Sequence, residues 1–315
     1  MKQFLTLDDL PNLHQAISDG ILLKKDPYAF EYIGNRKTLG MLFFNPSLRT
    51  RLSTQRAAQQ LGLKTMIMNF SNESWNLEFE DGIRMGGLSS EHIKEAAGVV
   101  SQYCDVLAIR AFASLTDKEK DEQEIVLNSF IKYSNIPVIN MESATSHPLQ
   151  ALADAITIKE NNLIKRPKIV LSWAPHPKAL PHAVGNSFVR MVKQLDFNFI
   201  ITNPEGYELD PKITGDIPII NSQKEALKGA DFVYVKNWSS YSNYGKILRT
   251  DEEWMLTKEK MKITNNAKFM HCLPVRRNIV ASDDVLDSDD SLVIEQANNR
   301  TFAAQVVLKR ILENG

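Results

Sequence analysis

Cysteine is almost missing from this chain. Two of its 315 residues are cysteines, Cys104 and Cys272, too few and too far apart for a disulfide framework. Excess charge is missing as well, since the formal net charge is -1. A near-neutral chain has no general electrostatic case for binding nucleic acid or an anionic membrane. No apolar run approaches the length of a membrane span. The opening segment Met1–Leu10 has early acids and no long apolar core, which argues against a signal peptide. The expected location is therefore the reducing cytoplasm. No glycine-rich dinucleotide fingerprint and no Walker A lysine loop sits at a strand-to-helix junction, which argues against the commonest nucleotide-binding readings of an α/β chain. Internal repeats and low-complexity segments are also absent.

What is present is an ordinary globular mixture, 43% hydrophobic and 24% charged, long enough for two domains with sizeable cores. Short apolar runs at 38–44, 64–70, 105–110, 137–141, 167–173, 197–202, 231–236 and 267–273 read as strands. Amphipathic stretches such as Glu91 to Tyr103 and Leu180 to Leu195 lie between them. This alternation predicts an α/β protein of two doubly wound parallel-sheet domains joined by helices, with about four strands in each sheet. The stretch His147 to Ala155 has helical spacing mid-chain and is expected to link the domains. Residues 161–167 are expected to form the loop after it. Ala297 to Asn314 reads as one long helix.

The most informative stretch is Ser47-Leu48-Arg49-Thr50-Arg51, between the strand at 38–44 and a helix expected from Leu52. Hydroxyl and guanidinium groups at a helix N-terminus make an anion site, because the free N–H groups and the helix dipole favour a phosphate there. Arg49 and Arg51 would add a permanently charged clamp. A helix cap with two solvated arginines fits the same residues. Arg110 ends a strand, where a surface arginine is the simpler reading. His147 and Gln150 stand about one turn apart at a helix start and can face one point, although His147 alone also suits a cap. His271-Cys272 lacks the second ligand pair that a zinc site needs, and no metal is expected.

Together these segments resemble the aspartate/ornithine carbamoyltransferase superfamily over essentially the whole chain. Ser47-Leu48-Arg49-Thr50-Arg51 is similar to its Ser-Thr-Arg-Thr-Arg carbamoyl-phosphate motif, with Leu48 in place of a threonine that acts mainly through its backbone. Arg110, His147-Pro-Leu-Gln150, His271-Cys-Leu-Pro274 and Arg300 match further motifs in order. The resemblance implies a carbamoyl-phosphate-binding domain at 1–146, rejoined by the C-terminal helix 297–315. It implies an acylornithine-binding domain at 147–296 that begins with the linking helix. Ser47, Leu48, Arg49, Thr50, Arg51, Arg110, His147, Gln150, Cys272, Leu273 and Arg300 would hold carbamoyl phosphate.

The second substrate is read from other segments. Cys272 points to the ornithine side of the superfamily. The Ser-Met-Gly loop of ordinary ornithine enzymes is absent from Asp231–Tyr241. His271–Asn278, Trp173–Pro177 and Glu205–Asp210 resemble the branch that uses N-acylated ornithine. In its acetyl members a glutamate occupies the loop represented here by Gly87-Leu88-Ser89-Ser90-Glu91. Ser90 aligns with that glutamate, which favours succinylornithine, although a shift of one residue to Glu91 would reverse the choice.

The implied reaction is transfer of the carbamoyl group to the δ-amine of N-succinyl-L-ornithine, giving N-succinyl-L-citrulline and phosphate in arginine biosynthesis. N-acetylornithine and then free ornithine are the alternative acceptors. A catalytically silent carbamoyl-phosphate-binding protein is the alternative of a different class. Thr50, Arg110 and His147 would stabilise the carbonyl oxygen, and Cys272 would position the amine. Lys236 and Arg276 are candidates for the substrate carboxylates, Glu142 and His176 for its amide and backbone. Trp75, in a loop that reaches a neighbouring subunit in this branch, implies a homotrimer with shared sites. No cofactor is implied.

Overall fold

The computed structural model describes residues 1–250 and 252–313. Asn314 and Gly315, the last positions of the expected C-terminal helix, lie outside the described residues. The chain divides into two compact units. One comprises Met1–Ser114, Lys118–Leu149 and the chain from Arg300, and the other Leu115–Asp117 and Gln150–Asn299. Among the described residues no helix is long and apolar enough to cross a membrane.

The strands in chain order are β1 (Gln3–Phe4), β2 (Thr38–Phe43), β3 (Lys64–Asn69), β4 (Leu77–Glu78), β5 (Glu91–His92), β6 (Val106–Arg110) and β7 (Val138–Glu142). They continue with β8 (Lys168–Trp173), β9 (Asn198–Thr202), β10 (Ile219–Ile220), β11 (Phe232–Lys236) and β12 (Lys268–Met270). The first unit holds a five-stranded sheet in the order β1-β7-β6-β2-β3, parallel throughout. Its middle strands are buried on both faces, as β6 and β7 show along their whole length, so they read as continuous apolar runs rather than alternating ones. Leu42, Ile93, Ala97, Leu107, Ile109, Leu127, Phe130 and Val138 form its core, fed by the helices Ile93–Tyr103 and Ile125–Tyr133.

The chain runs from β2 outward to β3 and then returns to the far side of β2 as β6. Strand order therefore reverses between β2 and β6, and the carboxyl ends of two such strands leave a crevice where ligands bind in open α/β sheets. The helix Arg49–Gln60 fills the crossover from β2 to β3. It stops at Gly62, which takes φ +78° while the Leu63 N–H reaches back to the Ala58 carbonyl at 2.9 Å. Only a residue without a side chain suits that turn, because a Cβ on Gly62 would stand 2.1 Å from the Glu31 carbonyl oxygen.

The second unit repeats the plan with the order β10-β9-β8-β11-β12, again all parallel. Here the reversal falls between β8 and β11. Its core includes Val170, Ala226, Leu227, Val233, Val235, Leu256 and Phe269. Trp173 at the end of β8 packs with Tyr207 and Trp238: Trp173 Nε1 donates to the Trp238 carbonyl at 2.9 Å and Trp238 Nε1 to the Tyr207 carbonyl at 2.7 Å.

The α/β class with parallel sheets is thus as expected, and several details differ. Each main sheet has five strands rather than four, because the two-residue strands β1 and β10 add an edge to each. A third, two-stranded parallel sheet pairs β4 with β5, so Glu91 and His92 begin a strand and not the helix that follows. The last strand ends at Met270, and His271-Cys272-Leu273-Pro274 follows it instead of closing it. The linking helix runs Pro148–Asn161 and the C-terminal helix Val293–Leu312.

Candidate active site

The turn after β2 places the first groups. The helix begins at Arg49 and not at Leu52, so Arg49, Thr50 and Arg51 form its first turn. Leu48 occupies the cap position and makes no side-chain cap bond. Ser47 does the capping, since its Oγ accepts the Thr50 N–H at 3.2 Å. The dipole of the helix, positive at this end, favours an anion here.

β6 brings Arg110 to the adjacent strand end; the Phe44 N–H donates to the Arg110 carbonyl at 2.9 Å. The Nε and Nη2 of Arg110 lie 3.3 and 3.2 Å from Glu142 Oε2, and Nη1 donates to the Pro46 carbonyl. The guanidinium sits 4.2 Å from the Phe112 ring centroid. The same Glu142 oxygen lies 3.3 Å from His147 Nε2. Arg300 closes the array: its Nη2 donates to Thr50 Oγ1 at 2.5 Å and lies 3.4 Å from His147 Nε2. In a neutral ring that one nitrogen can accept from Arg300 or donate to Glu142, not both.

Thr50, Arg110, Glu142, His147 and Arg300 are all buried. Burial pulls the Arg110 guanidinium below its ordinary value, Glu142 pulls it back up, and the charge of Arg49 lowers it again. Glu142, expected as a ligand contact, has its carboxylate against Arg110 and His147 in the first unit.

The other two candidates of the first unit lie around β4 and β5. Trp75 is 55% exposed, and its indole N–H donates to Glu91 Oε2 at 2.8 Å. Ser90 is exposed, and its N–H donates to the Asn76 carbonyl at 3.0 Å.

In the second unit, Gln150 stands in the first turn of Pro148–Asn161, and its Nε2 donates to Asp154 Oδ1 at 2.7 Å. His147 and Gln150 fall on either side of the boundary between the units. Cys272 is buried, and Leu273 has φ +55° before a cis bond to Pro274. The Leu273 N–H donates to His271 Nδ1 at 2.8 Å and holds this turn. Burial, then Asp154 and Cys272, push the neighbouring Tyr234 phenol well above its usual range.

Lys236 is half-buried at the end of β11, and His176 follows β8. Exposed Arg276 donates from Nε to His176 Nε2 at 3.1 Å. His176 Nδ1 lies 2.9 Å from the Lys178 carbonyl and 3.1 Å from the Lys178 backbone N–H, so it donates to the first or accepts from the second according to the tautomer. Burial lowers the His176 pKa from 6.5; the Lys178 carbonyl opposes this, and Lys236 and Arg276 lower it further.

Two supporting residues escaped the sequence reading. Glu124, in an αL backbone, accepts from Thr145 N, Thr145 Oγ1, Ser143 Oγ and Ala144 N at 2.8, 2.6, 2.7 and 3.1 Å. It builds the turn that delivers His147. Asp154 is the second, and its spacing of four from Gln150 is the signal that could have found it.

Residues 2–160 match the carbamoyl-P binding domain of aspartate/ornithine carbamoyltransferases, and residues 182–311 match the Asp/Orn binding domain. The chain belongs to the aspartate/ornithine carbamoyltransferase family. Among its relatives, it is 49% identical over 316 residues to the N-succinylornithine carbamoyltransferase of Bacteroides fragilis (strain 638R), covering 100% of this chain and 99% of that one. It is 35% identical over 332 residues to the N-acetylornithine carbamoyltransferase of Xanthomonas axonopodis pv. citri (strain 306), with 98% and 96% covered. Among solved structures, acetylornithine transcarbamylase complexed with acetylcitrulline superposes with a TM-score of 0.91 at 33% identity, covering 99% of each chain. A variant of N-acetyl-L-ornithine transcarbamylase with one glutamate replaced by alanine, complexed with carbamyl phosphate and N-succinyl-L-norvaline, gives 0.92 at 32% identity, covering 99% of this chain and 100% of that one. The family therefore accounts for both units of the fold.

Proposed function

We propose that the protein is an N-succinylornithine carbamoyltransferase of arginine biosynthesis. It transfers the carbamoyl group of carbamoyl phosphate to the δ-amine of N-succinyl-L-ornithine, giving N-succinyl-L-citrulline and phosphate. The observation that carries the chemistry is the buried array of Thr50, Arg110, His147 and Arg300 at the reversal point of the first sheet. The acyl choice rests on Ser90 together with the 49% identity to the succinyl enzyme of Bacteroides fragilis.

In this reading the first turn of Arg49–Gln60, with Ser47, Arg49, Arg51 and Arg300, holds the phosphate. Thr50, Arg110 and His147 donate to the carbonyl oxygen as the amine attacks and negative charge grows on it. Preorganised donors of this kind contribute about 3 kcal/mol each when the site is dry. Gln150 receives the carbamoyl NH₂. No protein nucleophile is needed, because the amine attacks directly, and the departing phosphate can take the amine proton. Cys272 and Leu273 position the amine, with the remaining acceleration coming from holding two reactants in line. Lys236 and Arg276 bind the carboxylates of the acylated substrate, with His176 and Glu142 as further polar contacts.

The protein works in the cytoplasm as a homotrimer whose sites are shared, with the Trp75 loop reaching a neighbouring subunit. The exposure of a tryptophan in a polar loop supports this, since such a ring gains most from a partner or ligand surface. The deciding experiment offers carbamoyl phosphate with ornithine, N-acetylornithine or N-succinylornithine side by side. Succinylcitrulline should dominate. A preference for N-acetylornithine would put Glu91 in the selecting position, and no product with any of the three would leave a silent binder.

A further inference from the structure

Asp154, buried in the second unit, holds two glutamines by one oxygen: Nε2 of Gln150 and Nε2 of Gln296 each lie 2.7 Å from its Oδ1. On the far side, Gln296 Oε1 accepts the backbone N–H of His271 at 3.0 Å. This chain of contacts has one consistent polarity. A backbone N–H only donates, so Gln296 must give its oxygen to His271 and its NH₂ to Asp154. A carboxylate only accepts, so Gln150 must also turn its NH₂ inward. The Gln150 amide is left with its oxygen outward by compulsion. That Oε1 is buried and meets no donor among the described residues, a costly state for a carbonyl unless a ligand supplies the donor.

We propose that Asp154 is a positioning residue: it locks the Gln150 amide oxygen outward, so that the site accepts the NH₂ of carbamoyl phosphate and discriminates against acyl phosphates that carry a methyl group there. This rests on the carbamoyl-phosphate reading above. A bare structural role for Asp154 would weaken every ligand alike. An orienting role weakens only the choice between an NH₂ and a methyl group.

The test measures binding of carbamoyl phosphate, acetyl phosphate and inorganic phosphate to the native protein, Asp154→Leu and Asp154→Asn. The native protein should favour carbamoyl over acetyl phosphate. In Asp154→Leu that preference should fall about tenfold, the scale of one hydrogen bond, while inorganic phosphate binds as before. Asp154→Asn keeps an oxygen for both glutamines and should retain the preference. If Asp154→Leu does not fold, Asp154→Ala removes the oxygens without added bulk and is read in the same way. The proposal is overturned if the Leu or Ala protein keeps the native preference, if Asp154→Asn loses it equally, or if the native protein does not discriminate at all. A native protein that binds no carbamoyl phosphate refutes the parent reading instead.

Discussion

Arg300 donates to the hydroxyl of Thr50 at 2.5 Å across 250 positions of sequence. The bond joins the C-terminal helix to the first turn of the helix that follows β2, and it fixes one end of the buried array in the first unit.

Replacing Arg300 with Lys keeps the charge but removes the planar guanidinium whose Nη2 reaches both Thr50 and His147. The affinity for carbamoyl phosphate should drop by about tenfold or more, the scale of a charge-assisted bond lost in a buried site. Titration calorimetry decides it. Native affinity in Arg300→Lys would detach this residue from the phosphate.

Composite sites can be tested by complementation. Trp75→Ala and Arg110→Ala should each be inactive alone. Mixed under conditions of proven subunit exchange, they should regain part of the native rate, because some hybrid sites combine a native Trp75 with a native Arg110. A mixture that exchanges and stays inactive argues that each subunit works alone.

The acyl group should be selected around Ser90. A glutamate placed there would face the terminal carboxylate of a succinyl group. At about 4 Å and an effective dielectric near 20 the repulsion is roughly 4 kcal/mol before screening, and a third of that is already about tenfold in binding. Glu91 already has Trp75 as a partner for its carboxylate at 2.8 Å. Ser90→Glu should therefore lower kcat/KM for succinylornithine by at least about tenfold while sparing acetylornithine. Equal losses on both substrates would place the selection elsewhere.

His176 makes stability depend on pH. Its folded-state pKa lies below the ordinary 6.5, so under acid the unfolded chain binds the proton first. No penalty exists above pH 6.5. As pH falls through that value, stability declines until the folded pKa is passed, because protonation of Nε2 breaks the Arg276 bond and adds a charge near Lys236. His176→Asn should flatten the dependence of Tm on pH below 6.5. An unchanged slope would mean that another group controls it.

The fold was legible where sequence periods are long enough to count. Parallel strands buried on both faces, such as β2 and β8, announce themselves as apolar runs. β1 and β10 are two residues long and carry no period, so sequence periodicity leaves both sheets one strand short. Ser47, Arg49 and Thr50 were legible because charge and hydroxyls at a strand-to-helix turn are unusual. Glu124 was not, since it closes the run Asp117–Glu124, which looks like a solvated face. Only the left-handed backbone at 124, which sequence does not encode for a glutamate, turns its carboxylate toward the donors of 143–145.

The first unit takes in the chain from Arg300 onward, which sets a schedule for biosynthesis. A ribosome emits Leu149 long before it emits Arg300; at roughly 5–20 residues per second the wait is about 8–30 s. During that interval Thr50 has no arginine, the Pro27 carbonyl lacks the amide of Gln305, and Asp19 lacks Arg310. The nascent first unit is thus an unfinished surface waiting for its own last helix. Chaperone dependence and premature-stop phenotypes should concentrate on it, even though most of its sequence is made first.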